Sequence, residues 1–171
     1  MSDSNFPWPK LGDSLFIKDS DWWHNACVNY LNSWGLYAEG YKRSADILVI
    51  HVQETHSDQD LLIYPIVFLY RQFIELKLKE IIKDGSQLIE NPKEIPMHHS
   101  ILNLWKDCRH ILERVWPDGP KDDLEAVEKC ICEFSEIDPR SMSFRYPVDT
   151  KGNPSLPSHL SHINIRNLGE V

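Results

Sequence analysis

The chain predicts an all-α fold: an up-and-down bundle of four or five helices, with an extended amino-terminal arm and an irregular segment after the fourth helix. Three observations carry this. The run from Pro65 to Lys83 places Ile66, Leu69, Tyr70, Phe73, Ile74, Leu78, Ile81 and Ile82 at helical spacing along one wide stripe. Two later stretches, beginning near Ile101 and Lys121, repeat that periodicity. Between them stand strong breaks such as Pro117-Asp118-Gly119-Pro120.

Residues 1–18 hold Pro7, Pro9 and Gly12 among aromatics and read as an arm that packs Phe6, Trp8 and Phe16 onto a body formed by residues 19–171. Asp19-Ser20-Asp21 supplies good N-cap side chains before Trp22 and Trp23, so the first helix is expected to start there. It runs through Trp34 towards Glu54, with Tyr37, Tyr41, Ala45, Leu48 and Val52 at helical spacing. Gly35 and Gly40 weaken that continuity and invite a kink or break.

Thr55-His56-Ser57-Asp58 is a polar connection to the long second helix, which Pro65 either starts or kinks. Asp84-Gly85 is expected to end it, with Gly85 in the left-handed position after the last turn. Residues 86–96, with Pro92 and Pro96, read as a loop. Ser100 then precedes a third helix with Ile101, Leu104, Trp105, Cys108, Ile111, Leu112 and Val115 on one face. A fourth helix runs from about Lys121 to Ile137 through Leu124, Val127, Ile131 and Phe134, and Asp138-Pro139 stops it. The segment 140–162 is rich in Pro, Ser and His, and Thr150-Lys151-Gly152-Asn153-Pro154 fits the turn of a small hairpin. Ile163 to Val171 resembles the first turns of one more helix, with Asn164 as its cap. So short a helix is expected to be either a truncated element or a tail docked on the bundle.

Composition narrows the function classes. The 171 residues favour one compact domain, and a chain of that size buries roughly 70% of its unfolded surface without a metal or disulfide staple. The net charge of −8 argues against binding nucleic acid through a broad basic face, although a local basic cleft remains open. Six tryptophans exceed ordinary usage, and some are expected to anchor the core. Cys27, Cys108, Cys130 and Cys132 form no Cys-x-x-Cys pair. Cys130 and Cys132 lie about 200° apart around a helix, so buried reduced thiols are expected rather than a metal site. The amino terminus carries no apolar signal segment, and no apolar run reaches membrane-spanning length, so a cytoplasmic location is expected. No cofactor is implied. Gly-x-x-x-x-Gly-Lys, Gly-x-Gly-x-x-Gly, Gly-x-Ser-x-Gly and His-Glu-x-x-His are all absent.

Two places carry candidate chemistry. Arg71 and Glu75, with Lys79 one turn on, stand at i, i+4 spacing. One reading is a solvated ion-pair ladder worth under ~0.5 kcal/mol per pair. The other is a partly desolvated Arg71 that Glu75 holds ready for a phosphate or carboxylate, because Arg71 interrupts an apolar stretch. His98 and His99 sit at a helix start, where an imidazole either caps the helix or reaches a substrate. In the second place, Arg145-Tyr146-Pro147, the proline excludes helix at Tyr146. Arg145 is then free to stack on an aromatic ring or pair with Asp138 or Asp149. The candidate ligand-binding set is Arg71, Glu75, His99, Arg145 and Tyr146, and guanidinium groups from both places are expected to face one recess.

Phe68-Leu69-Tyr70-Arg71-Gln72-Phe73-Ile74-Glu75-Leu76, the His99…Leu104-Trp105 helix and the late Phe144-Arg145-Tyr146-Pro147 together resemble a HEPN-type domain across roughly residues 36–171. The resemblance implies a four- or five-helix bundle that often pairs as a homodimer. Many such domains are metal-independent endoribonucleases of toxin–antitoxin or other defence systems, and others bind nucleotides, RNA or protein partners without catalysis. Catalytic forms carry Arg and His separated by four to six residues. Here Arg43 and His51 have seven between them and Arg109-His110 are adjacent, so that motif is missing. The function expected first is therefore a non-catalytic or divergent HEPN-like module binding a nucleotide, RNA or protein partner in a bacterial defence or stress system. The alternatives are an RNase, with His99 as general acid/base and Arg71 or Arg145 stabilising the transition state, and a structural assembly subunit.

Overall fold

A computed structural model describes residues 8–28 and 33–171 of the chain. The chain divides into two compact units, Met1–Asn32 and Ser33–Val171.

Within the described part of the first unit, regular structure is limited to a 3-10 turn, Trp22–His24. The Asn25 amide donates to the carbonyls of Asp19 and Asp21, and Trp22 stacks on Trp23 with ring centroids 3.9 Å apart. Trp8 and Phe16 are exposed, and Phe6 lies outside the described residues. The expected helix start at Trp22 is thus corrected. Asp21 makes no side-chain cap bond, and Asn25, in extended conformation, closes the turn after three residues. Residues 29–32 lie outside the described set.

The second unit is the bundle, and its long helices follow the apolar periodicity. Helix α1, Trp34–Thr55, starts at Ser33, whose hydroxyl accepts the Leu36 amide at 3.1 Å. It runs unbroken through Gly35 and Gly40, because its buried stripe of Ala38, Ala45 and Val49 rests on α2. His56 and Asp58, both with positive φ, make the reversal into helix α2, Gln59–Leu88. Pro65 lies inside α2. Gly85 also lies inside it, three residues before its end, so its expected role as terminator is corrected. A Cβ there would sit 2.6 Å from Ile111 Cγ2. The missing side chain lets α3 approach, and that packing outweighs the helix-breaking tendency of glycine.

Helix α3, Ile101–Val115, is capped by the Ser100 hydroxyl, and helix α4 spans Lys121–Ile137. The segment 138–164 has no further helix, and its hairpin is reduced to a single antiparallel bridge between Val148 and Pro154. Helix α5, Ile165–Glu170, is capped by the Asn164 side chain and is docked. Ile165 joins Ala45, Val49, Ile66 and Tyr70 in one core cluster. A second cluster gathers Leu78 and Ile82 of α2, five residues of α3 and Ile131 of α4.

Helix α2 packs against α1 and α3, so no residue from Ile66 to Ile82 is fully exposed. That is why Arg71, Glu75 and Lys79 are buried, against the solvated-ladder reading. Of the cysteines only Cys108 is buried, where burial and the charge of Asp107 push its thiol up to about 12. Cys27 is exposed and Cys130 and Cys132 are half-buried, which corrects the expectation of four buried thiols. All four are free. No helix among the described residues is long and apolar enough to cross a membrane.

Candidate functional site

Helix α2 takes part in two places of chemical interest: it supplies Arg71, Glu75 and Lys79 to the first, and Phe68 and Tyr64 to the second. The first is internal. Arg71 is fully buried. Its Nη1 donates to Glu75 Oε2 at 3.0 Å and its Nη2 donates to the His99 main-chain carbonyl at 2.6 Å. Glu75 Oε1 accepts from Lys79 Nζ at 2.8 Å and faces His99 Nδ1 at 2.8 Å. Lys79 Nζ also lies 5.9 Å from the centre of the Trp34 ring. Burial pushes the Glu75 carboxyl up, and the hydrogen bonds from Lys79, His99 and Arg71 outweigh it, holding its pKa below the ordinary carboxyl value.

This arrangement ties α2 to the start of α3. The spacing of Arg71, Glu75 and Lys79 puts the three on one helical face, and Ser100 starts α3 so that His99 is the last residue before it. The Arg71 fork is thereby spent on internal partners. Its Nε finds no hydrogen-bond partner among the described residues, a cost of about 1–3 kcal/mol for a buried donor. The His99 ring, by contrast, is 68% exposed. His98 is exposed as well and makes no side-chain hydrogen bond among the described residues.

The second place is at the surface. Asp138 ends α4, and its buried carboxylate accepts the amides of Met142 and Ser143 at 2.7 and 3.0 Å. That closes a tight loop in which Ser141 takes φ 58° and Phe144 is buried while Arg145 projects outwards. The Arg145 guanidinium lies 5.6 Å from the Phe68 ring centre and 5.3 Å from that of Tyr146. Its remaining contacts are long and uncharged: the Ser141 carbonyl, the Met142 sulfur and the Tyr146 hydroxyl, at 3.5, 3.8 and 3.4 Å. Neither carboxylate expected as its partner serves. Asp138 is committed as described, and Asp149 is held by the amides of Lys151 and Asn153.

Arg145 and Tyr146 line a cleft of about 370 Å³ with Tyr64, Phe144, Pro147 and Leu156. A neighbouring depression of about 550 Å³ shares Tyr146 and adds Arg140. So Arg71, Glu75 and His99 come together in one network, and Arg145 and Tyr146 come together in another place. Arg71, being fully buried, does not face the recess that Arg145 lines.

Lys79, Phe68, Asp138 and Tyr64 complete these two places. The i, i+4 repeat marked Lys79, and Asp138 was expected as a partner of Arg145 rather than in the loop-closing role it takes. Phe68 and Tyr64 gave none beyond their helical spacing. Among the described residues no group of three His, Cys, Asp or Glu side chains is placed to hold a metal ion. No protein-family model, no curated protein and no solved structure matches the chain.

Proposed function

We propose that the chain is a HEPN-like binding module and that its ligand site is the cleft at Arg145. The observation that carries this reading is a guanidinium lying over two aromatic rings, Phe68 and Tyr146, with no carboxylate paired to it among the described residues. Such a group recognises an anionic oxygen, and the half-exposed Tyr146 ring beside it offers a face for a planar group. A phosphate next to a nucleobase has both parts, so a nucleotide or a short stretch of single-stranded RNA fits the cleft. The net charge of −8 favours a ligand of few charges over a long polyanion, since tight binding of the latter needs many phosphate contacts.

The test is calorimetric titration of nucleotides and short RNA into the wild type, Arg145→Ala and Arg71→Ala. A charged hydrogen bond is worth about 1.5–3 kcal/mol, so Arg145→Ala weakens binding tenfold or more. Arg71→Ala acts through stability instead. Equal binding by wild type and Arg145→Ala, or none by either, removes the site.

A second reading, a metal-independent endoribonuclease, is favoured by the pairing of exposed His99 with buried Glu75. It supplies a general acid/base held by a carboxylate. Incubation with labelled RNA in EDTA decides it: intact RNA at high protein concentration rejects it.

A further inference from the structure

We propose that His99 is a phosphoryl-accepting site, with Nε2 as the nucleophile and Glu75 as its positioning residue. The inference does not depend on the Arg145 cleft. Glu75 is buried and takes hydrogen bonds from two cations, Arg71 and Lys79. A carboxylate so surrounded is ionised and can only accept, so His99 Nδ1, 2.8 Å from Oε1, must carry the hydrogen. In the neutral ring that leaves the lone pair on Nε2. The main chain is fixed as well, because Arg71 Nη2 donates to the His99 carbonyl and Ser100 caps α3. Yet the ring itself is 68% exposed. A side chain pinned at one nitrogen and open at the other is a positioned nucleophile rather than a buried strut.

The location selects the electrophile. His99 lies one residue before the start of α3, next to its Ser100 cap, where the helix dipole favours a negatively charged group. An anionic phosphoryl group matches that environment. The Nε2 lone pair attacks phosphorus; the N–P bond forms as the bond from phosphorus to the leaving group breaks, and the leaving group departs with that electron pair. The ring becomes positive, and the Glu75 carboxylate stabilises the charge through Nδ1–H. The donor is a phosphoramidate or an acyl phosphate.

The experiment treats the full chain with phosphoramidate and maps the modified histidines by mass spectrometry under alkaline conditions. His99 is expected to be modified at Nε2 about tenfold faster than any other histidine, with Glu75→Gln lowering that rate by a similar factor and His99→Gln abolishing the signal. Uniform labelling of the exposed histidines, or attachment at Nδ1, overturns the proposal. Should Glu75→Gln fail to fold, nitrogen-15 NMR of wild-type His99 decides the matter. The Nδ1–H tautomer is expected, and the Nε2–H tautomer contradicts the assignment.

Discussion

Replacing Glu75 by leucine removes the only carboxylate that Arg71 and Lys79 bond among the described residues, while keeping the volume similar. Both cations stay in the interior, with Arg71 fully buried and Lys79 nearly so. Removing one partner of a buried ion pair typically costs about 3–5 kcal/mol, because the remaining charge is left uncompensated. In a chain of this length each kcal/mol lowers Tm by roughly 2–4 °C, so the midpoint should fall by about 6–20 °C. Urea unfolding followed by circular dichroism, supported by thermal melts, measures it. The companion variant, Arg71→Met with Glu75→Leu and Lys79→Met, leaves no orphaned charge and should recover most of the loss. A loss below ~1 kcal/mol for Glu75→Leu alone, or a triple variant as unstable as the single one, would refute the reasoning.

Other consequences are direct. Gly85→Ala forces a Cβ to within 2.6 Å of Ile111 Cγ2; overpacking of that kind costs about 1–3 kcal/mol, of which the better helix propensity of alanine offsets about 1 kcal/mol, and the net loss is readable in the same urea titration. Ile165→Ala should loosen α5 and cost about 2–5 kcal/mol, with amide hydrogen exchange in 165–170 rising more than in α3. Glu75 has a folded pKa below its ordinary value of 4.5. Its stabilising contribution is therefore complete above that value and is lost as acid brings the pH down through the folded pKa. Glu75→Leu should consequently flatten the acid limb of the stability curve, and an unchanged limb argues against the ionised buried carboxylate.

Much of the bundle was legible because its helices obey simple rules. Ser100 and Asn164 sit where N-caps belong, and Asp138-Pro139 stops α4 as the chemistry of that pair requires. The misses arose where tertiary contact competes with local signals. Gly85 looks like a helix terminator until Ile111 is placed against it. Asp21 and its neighbours look like a cap, yet only a short 3-10 turn follows.

The candidate site divided the same way. The i, i+4 spacing announced that Arg71, Glu75 and Lys79 share a face, but not whether that face is wet. Burial follows from packing on both α1 and α3, which pairwise spacing does not encode. The placement of Arg145 over Phe68, far away along the chain, was equally out of reach. It depends on the loop that Asp138 closes, and no periodicity describes such a loop.

The central claim is a division of labour between two arginines of one chain: Arg71 is an internal strut and Arg145 meets the ligand. Titrating a nucleotide into protein labelled with nitrogen-15 at the arginine side chains reads both at once. The account predicts that the Arg145 Nε resonance moves with ligand concentration while that of Arg71 stays fixed. Movement of Arg71 with Arg145 unchanged would contradict it.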